Sequence, residues 1–284
     1  ASWKGQSIDL YIMGNRISRI VPHQSTPTSC SENSDVVSID AQGMNVFPAF
    51  YNTHNHAAMT LLRGYADDLL LMEWLEKHIW PAEARFTDEH IQVGVKLACL
   101  EMIKSGTVFF NDMYWKEEVA LPVVEAMGLR ATLGVLLIDT LDSRGKEQYF
   151  DLLEHFVPSP EGRVSLAVAP HSIYTVNKEL LCRSVNAARR NGQKIHIHLC
   201  ETQGEVENCL KEHGCTPVAY LDKMGFLGED VIAAHVVHVT DADIQILKER
   251  KVTIAHCPIS NMKLSSGIAP IQKMLEAGCR VTLA

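Results

Sequence analysis

Short apolar segments alternate with amphipathic segments along most of the chain. From about residue 44 onward, apolar runs are followed by stretches in which apolar residues recur every three or four positions, the period of a helix with one buried face. The clearest such stretch spans residues 87–104, where Ile91, Val95 and Ala98 share a face and Gly106 follows the end. The apolar runs predict strands at 46–50, 108–111, 131–138, 164–169, 194–199, 231–236, 252–255 and 280–283.

Capping residues mark the starts of two further helices. Asn177 is a typical N-terminal cap for a helix that stops before Gly192, and Thr240 with Asp243 approximates a capping box. The regular alternation of strands and helices over roughly 240 residues predicts an α/β fold, a parallel (β/α)8 barrel of the TIM type. A doubly wound sheet is the alternative, but no glycine-rich phosphate turn follows the first strand.

The first 46 residues have a different pattern. Strands are predicted at 8–13 and 17–21, joined by a turn around Asn15, and a polar loop follows at 22–35. We therefore predict two domains. Residues 1–46 form the N-terminal part of a small β-sandwich appendage, and residues 47–284 form the barrel.

Composition and charge narrow the class of protein. The chain is 46% hydrophobic and 21% charged, as in soluble globular proteins, and its net charge of −8 argues against a nucleic-acid-binding surface. There is no apolar run of about 18 residues and no signal-peptide pattern, so we expect no membrane span and a cytoplasmic location. The eight cysteines contain no C-x-x-C pair and are expected to be free thiols.

Histidines stand at the ends of five predicted strands. The carboxyl ends of the strands of a parallel barrel meet at one rim, where barrel active sites form. We therefore expect these side chains to converge. The strand-end histidines are His54, His56, His171, His198, His235, His238 and His256.

The pair His54 and His56 has the spacing of metal ligands. Side chains two apart on an extended strand project to the same side, so both imidazoles can reach one ion, with His198 as the third ligand. Imidazole suits Zn²⁺ or Fe²⁺, and such a site can lower the pKa of bound water. Glu201, three residues after His198, is a candidate proton carrier, or else a solvated carboxylate. His196 is expected below the metal or beside a ligand.

Four segments contain or flank the strand-end histidines: 47–56, 196–202, 233–235 and 256–264. In sequence and in order, these four segments resemble the amidohydrolase superfamily. Within it, they are most similar to the methylthioadenosine/S-adenosylhomocysteine deaminases, which residues 74–85 and 170–172 also resemble.

This resemblance implies a site with one divalent ion, most readily zinc, with iron or manganese as alternatives, bound by His54, His56 and His198. It also implies that Glu201 protonates the ring nitrogen beside the carbon under attack. His235 would polarise the attacking hydroxide or the leaving group. His171 and Glu83 would contact substrate, Glu83 at the ribose hydroxyls, and the protein would be a homodimer.

The chain departs from the family pattern at its end. The family places an aspartate just after the eighth strand, whereas this sequence stops at Ala284. We therefore expect a fragment of a longer protein, with the barrel incomplete at its C-terminal end. Some family members also hold a substrate carboxylate with an arginine near Val135, and here Arg144 alone is near that position.

The predicted function is hydrolytic deamination of an amino-substituted nitrogen heterocycle. An adenosine-type thioether, such as methylthioadenosine or S-adenosylhomocysteine, or adenosine itself is the first choice of small-molecule substrate. The alternatives are a guanine, pterin or triazine deaminase or chlorohydrolase of the same superfamily. A further alternative is an inactive metal-binding fragment that lacks the catalytic aspartate.

Overall fold

The computed structural model describes residues 1–23, 36–140, 143–158 and 162–284, and the chain divides into two compact units, 1–49 and 50–284. The first unit contains an antiparallel sheet of β1 (Ser2–Trp3), β2 (Gln6–Met13) and β3 (Arg16–Pro22). The tight turn between β2 and β3 has Gly14 at a positive φ of 59°, which suits glycine. The polar loop predicted at 22–35 lies outside the described residues from residue 24 onward, and the assignment of a β-sandwich appendage stays a prediction.

The second unit is built on eight parallel strands, each hydrogen-bonded to the next in chain order. Thr53 Oγ1 lies 2.8 Å from Thr282 Oγ1 and donates to the Leu283 carbonyl at 2.8 Å, so the first and last strands meet and the barrel is nearly closed. The predicted (β/α)8 barrel is confirmed. Its strands are β4 (Phe50–Asn55), β5 (Thr107–Tyr114), β6 (Arg130–Leu137), β7 (Val164–Pro170), β8 (Lys194–Leu199), β9 (Val231–His235), β10 (Thr253–His256) and β11 (Arg280–Leu283).

Helices connect the strands on the outside of the barrel. In the described part of the second unit, a 3₁₀ turn at Ala57–Leu62 and a π-helical turn at Leu75–Ile79 accompany the α-helices. The α-helices are α1 (Leu71–Trp74), α2 (Trp80–Glu83), α3 (Asp88–Ser105), α4 (Glu117–Met127), α5 (Ser143–His155), α6 (Lys178–Asn191), α7 (Gln203–His213), α8 (Pro217–Lys223), α9 (Asp241–Glu249), α10 (Pro258–Lys263) and α11 (Ile271–Ala277). None of the helices in the described ranges is long and apolar enough to cross a membrane.

The predicted helix caps are present. Asn177 accepts from Leu180 N at 3.0 Å before α6. Thr87, where no cap was predicted, also accepts from the backbone of His90 before α3. Thr240 and Asp243 form the capping box of α9. These caps satisfy amides that have no partner within the helix, and so fix where each helix begins after its strand.

The central strands are buried on both faces. The barrel interior lies on one side and the helices on the other, which accounts for their nearly continuous apolar sequences. Leu133, Val168, Ile195 and Ile197 are among the fully buried residues of one continuous core. This core packs directly beneath the side chains at the carboxyl rim.

The first barrel strand differs from the prediction. The apolar run predicted a strand at 46–50 with the histidines after it, but β4 spans Phe50–Asn55. Pairing with β5 defines the strand, through Tyr51 opposite Phe109 and Asn52 opposite Phe110, and this ladder extends into polar residues. Apolar character therefore located the strand about four residues too early, and His54 lies within the strand.

Candidate active site

Six of the predicted site residues line one cavity at the carboxyl rim of the barrel. They come from different parts of the chain. They meet because the parallel strands of a barrel end at the same rim. His54 is buried beside the cavity, within contact distance of His56 and His198. The six residues are His56, Glu83, His171, His198, Glu201 and His235.

Backbone carbonyls fix the orientation of two imidazoles. His56 Nδ1 donates to the Met113 carbonyl at 2.6 Å, and His198 Nδ1 donates to the His171 carbonyl at 2.9 Å. The proton of each neutral ring is therefore on Nδ1, and each Nε2 carries a lone pair. These two Nε2 atoms lie 3.4 Å apart. Two lone pairs that face each other at this distance favour a cation between them.

The third imidazole is held by another histidine. His54 Nδ1 lies 2.8 Å from Nε2 of His196, which is fully buried in the barrel interior. His196 Nδ1 in turn lies 3.1 Å from Asn111 Nδ2. His196 is thus placed beneath His54 and can orient its ring, as the second partner of a metal-binding histidine commonly does.

The electrostatics of the rim favour neutral imidazoles. Burial lowers the pKa of His56 to about 4 and of His235 to about 4, and it lowers the pKa of His54 and His198 well below the usual value of 6.5. Metal ions bind the unprotonated ring. At neutral pH these side chains therefore have lone pairs available as ligands without first losing a proton.

Two sets of side chains are close enough to share one ion. The ligand atoms of His54, His56 and His198 lie within 4.8 Å of one another, as do those of His54, His235 and Cys257. Burial raises the pKa of the Cys257 thiol to about 12, and its Sγ donates to the Ala255 carbonyl at 3.3 Å. A protonated thiol is a poor ligand, so the three-histidine set fits a divalent ion better.

Glu201 lines the cavity next to His235. The carboxyl is buried, with Oε1 3.7 Å from His235 Nδ1 and 3.4 Å from the donating Ser266 Oγ. Burial raises the pKa of Glu201 from 4.5 to about 7, against a smaller lowering by Ser266. This carboxyl can therefore hold and release a proton near neutral pH.

Asn261 orients His235, and sequence reasoning assigned it no role. His235 has a positive φ of 73°, and its Nδ1 donates to Asn261 Oδ1 at 2.7 Å, which leaves Nε2 unprotonated. Asn261 is fully buried within α10. The position lies within the segment 256–264 that resembles the superfamily, but the contact depends on a turn that the sequence pattern does not reveal.

Glu83 lines the cavity from α2. Its Oε1 accepts from Tyr114 Oη at 2.7 Å and its Oε2 from Trp115 Nε1 at 3.4 Å, and burial raises its pKa. Trp74 and Trp80 line the same wall and pack on the apolar cluster around the π-helical turn. The wall combines aromatic surface with one fixed carboxylate.

Two of the strand-end histidines stand apart from this cavity. His256 ends β10 but does not line the cavity, and its Nδ1 is buried with no partner in the described part of the chain. His238 Nε2 donates to the Ser266 carbonyl at 2.5 Å. Position at a strand end alone therefore does not bring a histidine into the site.

The chain is similar in sequence to two known deaminases. The chain is 49% identical to the 5′-deoxyadenosine deaminase of Methanosarcina acetivorans over 256 residues, which is 89% of this chain and 59% of that protein. It is 44% identical to the 5-methylthioadenosine/S-adenosylhomocysteine deaminase of Pelotomaculum thermopropionicum over 277 residues, 97% of this chain and 63% of that protein. The chain thus spans about three fifths of the length of these relatives.

A solved structure has the same fold. An adenosine deaminase from Xanthomonas campestris with bound zinc superposes with a TM-score of 0.80 at 36% identity, over 84% of this chain and 56% of that one. The sequence model of the amidohydrolase family matches residues 45–284, which include the whole barrel and every histidine of the site. By that match this chain belongs to the amidohydrolase family.

Proposed function

We propose that this chain is the metal-binding part of a hydrolytic deaminase that acts on an adenosine-type nucleoside. One observation carries the proposal: the ligand atoms of three neutral imidazoles lie close together, two of these rings line the same cavity as Glu201, and Glu201 is a buried carboxyl whose pKa is raised to about 7. The amidohydrolase family is metal-dependent, and both deaminase relatives are more than 40% identical to this chain.

His54, His56 and His198 would hold a single divalent ion, with zinc the first choice. A bound ion of this kind lowers the pKa of a water ligand towards about 7, which supplies the nucleophile at neutral pH. The chain's own contribution is to fix the ring orientations, through Met113, His171 and His196, and to keep the rings neutral by burial. Fixed, unprotonated ligands bind the ion without further rearrangement.

Glu201 would move the proton. Hydrolytic deamination forms a bond from water oxygen to the amino-bearing ring carbon and breaks the bond to the amino nitrogen. One water proton goes to that nitrogen, which leaves as ammonia, and the other replaces the proton that Glu201 gives to the ring. The protonated Glu201 carboxyl donates to the ring nitrogen beside that carbon, so negative charge does not build up on the ring. His235 presents an unprotonated Nε2 that accepts a hydrogen bond from the attacking water, because Asn261 holds the proton on Nδ1.

The cavity wall suits a nucleoside. Trp74 and Trp80 offer flat apolar surface to a purine, and Glu83 offers a carboxylate to a pair of hydroxyl groups, as ribose would present. Two relatives are named for 5′-deoxyadenosine and methylthioadenosine/S-adenosylhomocysteine. Substrates of this class, altered at the 5′ position of adenosine, are therefore our first choice.

The test is ammonia release by the zinc-loaded full-length protein. The panel contains 5′-deoxyadenosine, methylthioadenosine, S-adenosylhomocysteine and adenosine, with guanine, a pterin and an aminotriazine for comparison. We expect release from the adenosine-type nucleosides and its loss in Glu201→Gln, with Glu207→Gln on the exposed face of α7 as the matched control. Release confined to guanine, pterin or triazine would replace the proposed substrate class, and release from none would refute deamination.

A further inference from the structure

We propose that Glu205, a buried residue of α7, is a positioning residue that aims Glu201 into the cavity. The inference rests on the proposed function of Glu201 as the proton donor. Glu205 does not line the cavity and touches no substrate position, so its effect would pass through the backbone of the turn between β8 and α7.

Both oxygens of the Glu205 carboxylate bind that turn. Oε1 accepts from Cys200 N at 2.8 Å, and Oε2 accepts from Glu201 N at 2.9 Å. The side chain is 5% exposed, so these bonds are shielded from water. A single carboxylate thus holds the two successive amides that determine the direction in which Glu201 leaves the strand.

This arrangement departs from ordinary helix capping. Thr202 caps α7 and accepts from Glu205 N at 3.2 Å, and a glutamate at this position of a capping box reaches back to the amide of the cap residue itself. Here the carboxylate reaches further, to the two residues before Thr202. The longer reach has no added value for the helix end, since α7 already has its cap, but it fixes the segment that carries Glu201.

The turn needs an external support of this kind. Cys200 has a positive φ of 52°, a conformation that residues with a side chain rarely adopt and that persists where surrounding contacts enforce it. Its carbonyl accepts from Val237 N at 3.0 Å and His238 N at 2.9 Å, so the turn is also tied to the segment after β9. Glu205 supplies the matching contacts on the amide side.

A carboxylate is the group this place requires. A glutamine has the same shape, but its amide nitrogen would face one of the two donating N–H groups, and one amide would lose its partner. An aspartate keeps the charge, but it is one carbon shorter and reaches at most one of the two amides. Ser266 Oγ donates to Oε1 of Glu201 and so holds the carboxyl end of that side chain, whereas Glu205 holds the backbone of the turn.

The experiment compares Glu205→Gln and Glu205→Asp with Glu207→Gln in the zinc-loaded full-length protein. Glu207 lies on the same helix, is exposed and accepts from Gln203 Nε2, so it matches the charge change without touching the turn. We expect kcat for 5′-deoxyadenosine to fall about 10- to 100-fold in Glu205→Gln, because a misplaced catalytic group costs this much, with KM and zinc content unchanged. Amide hydrogen exchange of residues 199–203 should be faster than in Glu207→Gln.

The possible results separate failure of the role proposed for Glu205 from failure of the proposed function. A Glu205→Gln protein with the kcat and the amide exchange of Glu207→Gln would overturn the proposal. If Glu205→Gln does not fold, Glu205→Asp must lower kcat at constant KM and zinc content, and a kcat equal to that of wild type would overturn the proposal. If the protein deaminates nothing, the proposed function fails, while amide exchange still tests whether Glu205 holds the turn.

Discussion

The unprotonated Nε2 atoms of His56 and His198 face each other at 3.4 Å, and each ring is fixed in that orientation by a carbonyl bound to its Nδ1. Two hydrogen-bond acceptors at this distance have no proton to share while both rings are neutral. The fold therefore maintains an arrangement that is unfavourable until a positive charge lies between the rings.

Zinc should stabilise the folded protein through this arrangement. An ion that binds the native state alone, at about 100 times its Kd, adds about 2.7 kcal/mol to the free energy of unfolding. We expect a rise in Tm when zinc is added to the metal-free protein, and its loss in His198→Ala. His155→Ala, at an exposed side chain on α5, should retain the full rise. An equal rise in both variants would show that zinc binds elsewhere.

Glu201 should dominate the pH dependence of activity. Its raised pKa of about 7 means that the carboxyl is protonated below pH 7 and loses its proton as pH rises. Because the protonated form is the donor, kcat should fall above about pH 7. Glu201→Gln should lower kcat by about 10²- to 10⁴-fold and remove this limb of the profile. A basic limb that persists in Glu201→Gln would assign the titration to another group.

The same group should make stability depend on pH. The folded pKa of about 7 exceeds the unfolded value of 4.5, so the folded state holds a proton that the unfolded state has lost between these values. The stability that this proton supplies is fully present below about pH 4.5 and is lost as pH rises through 7. In the metal-free protein, Glu201→Gln should therefore be more stable than wild type at pH 8, by up to about 3 kcal/mol, and similar at pH 4.5.

Urea unfolding at the two pH values measures this difference. Glu207→Gln is the control, since an exposed carboxylate should change stability little and equally at both values. A gain from Glu201→Gln that is the same at pH 4.5 and pH 8 would mean that the buried carboxyl does not hold its proton in the folded protein.

Glu83 should act on binding and not on the chemical step. Glu83→Gln keeps the shape of the side chain but removes the charge that would bind ribose hydroxyls. A hydrogen bond to a charged group contributes about 1.5–3 kcal/mol, so KM for 5′-deoxyadenosine should rise about 10- to 100-fold with kcat nearly constant. Tyr114→Phe, which removes a donor to the same carboxylate, should cause a smaller rise. A fall in kcat at constant KM would place Glu83 in the chemistry.

Much of the fold could be predicted from the sequence, because strand and helix periods are local properties. The order of the barrel strands and the caps at Asn177 and Thr240 follow from patterns within a few residues. The start of β4 could not be placed, since it depends on pairing with a strand more than fifty residues away. Local hydrophobicity does not carry this information.

The site, too, could be predicted only in part from the sequence. Histidine spacing predicted a metal site, and the structure brings His54, His56 and His198 together, while their role as ligands stays a proposal. His196 was expected beneath or beside a ligand and lies against His54, but two other residues that hold the site escaped prediction. Asn261 and Glu205 act through turns with positive φ at His235 and Cys200, and such turns arise from contacts between separate strands.

The central claim is that three imidazoles from two strands bind one cation, and an anomalous difference map measures this directly. Crystals of the full-length protein grown with zinc should show one strong peak at the rim, about 2.0–2.1 Å from a ring nitrogen of His54, His56 and His198. A map with no peak among these rings, or with the peak on other residues, would contradict the account.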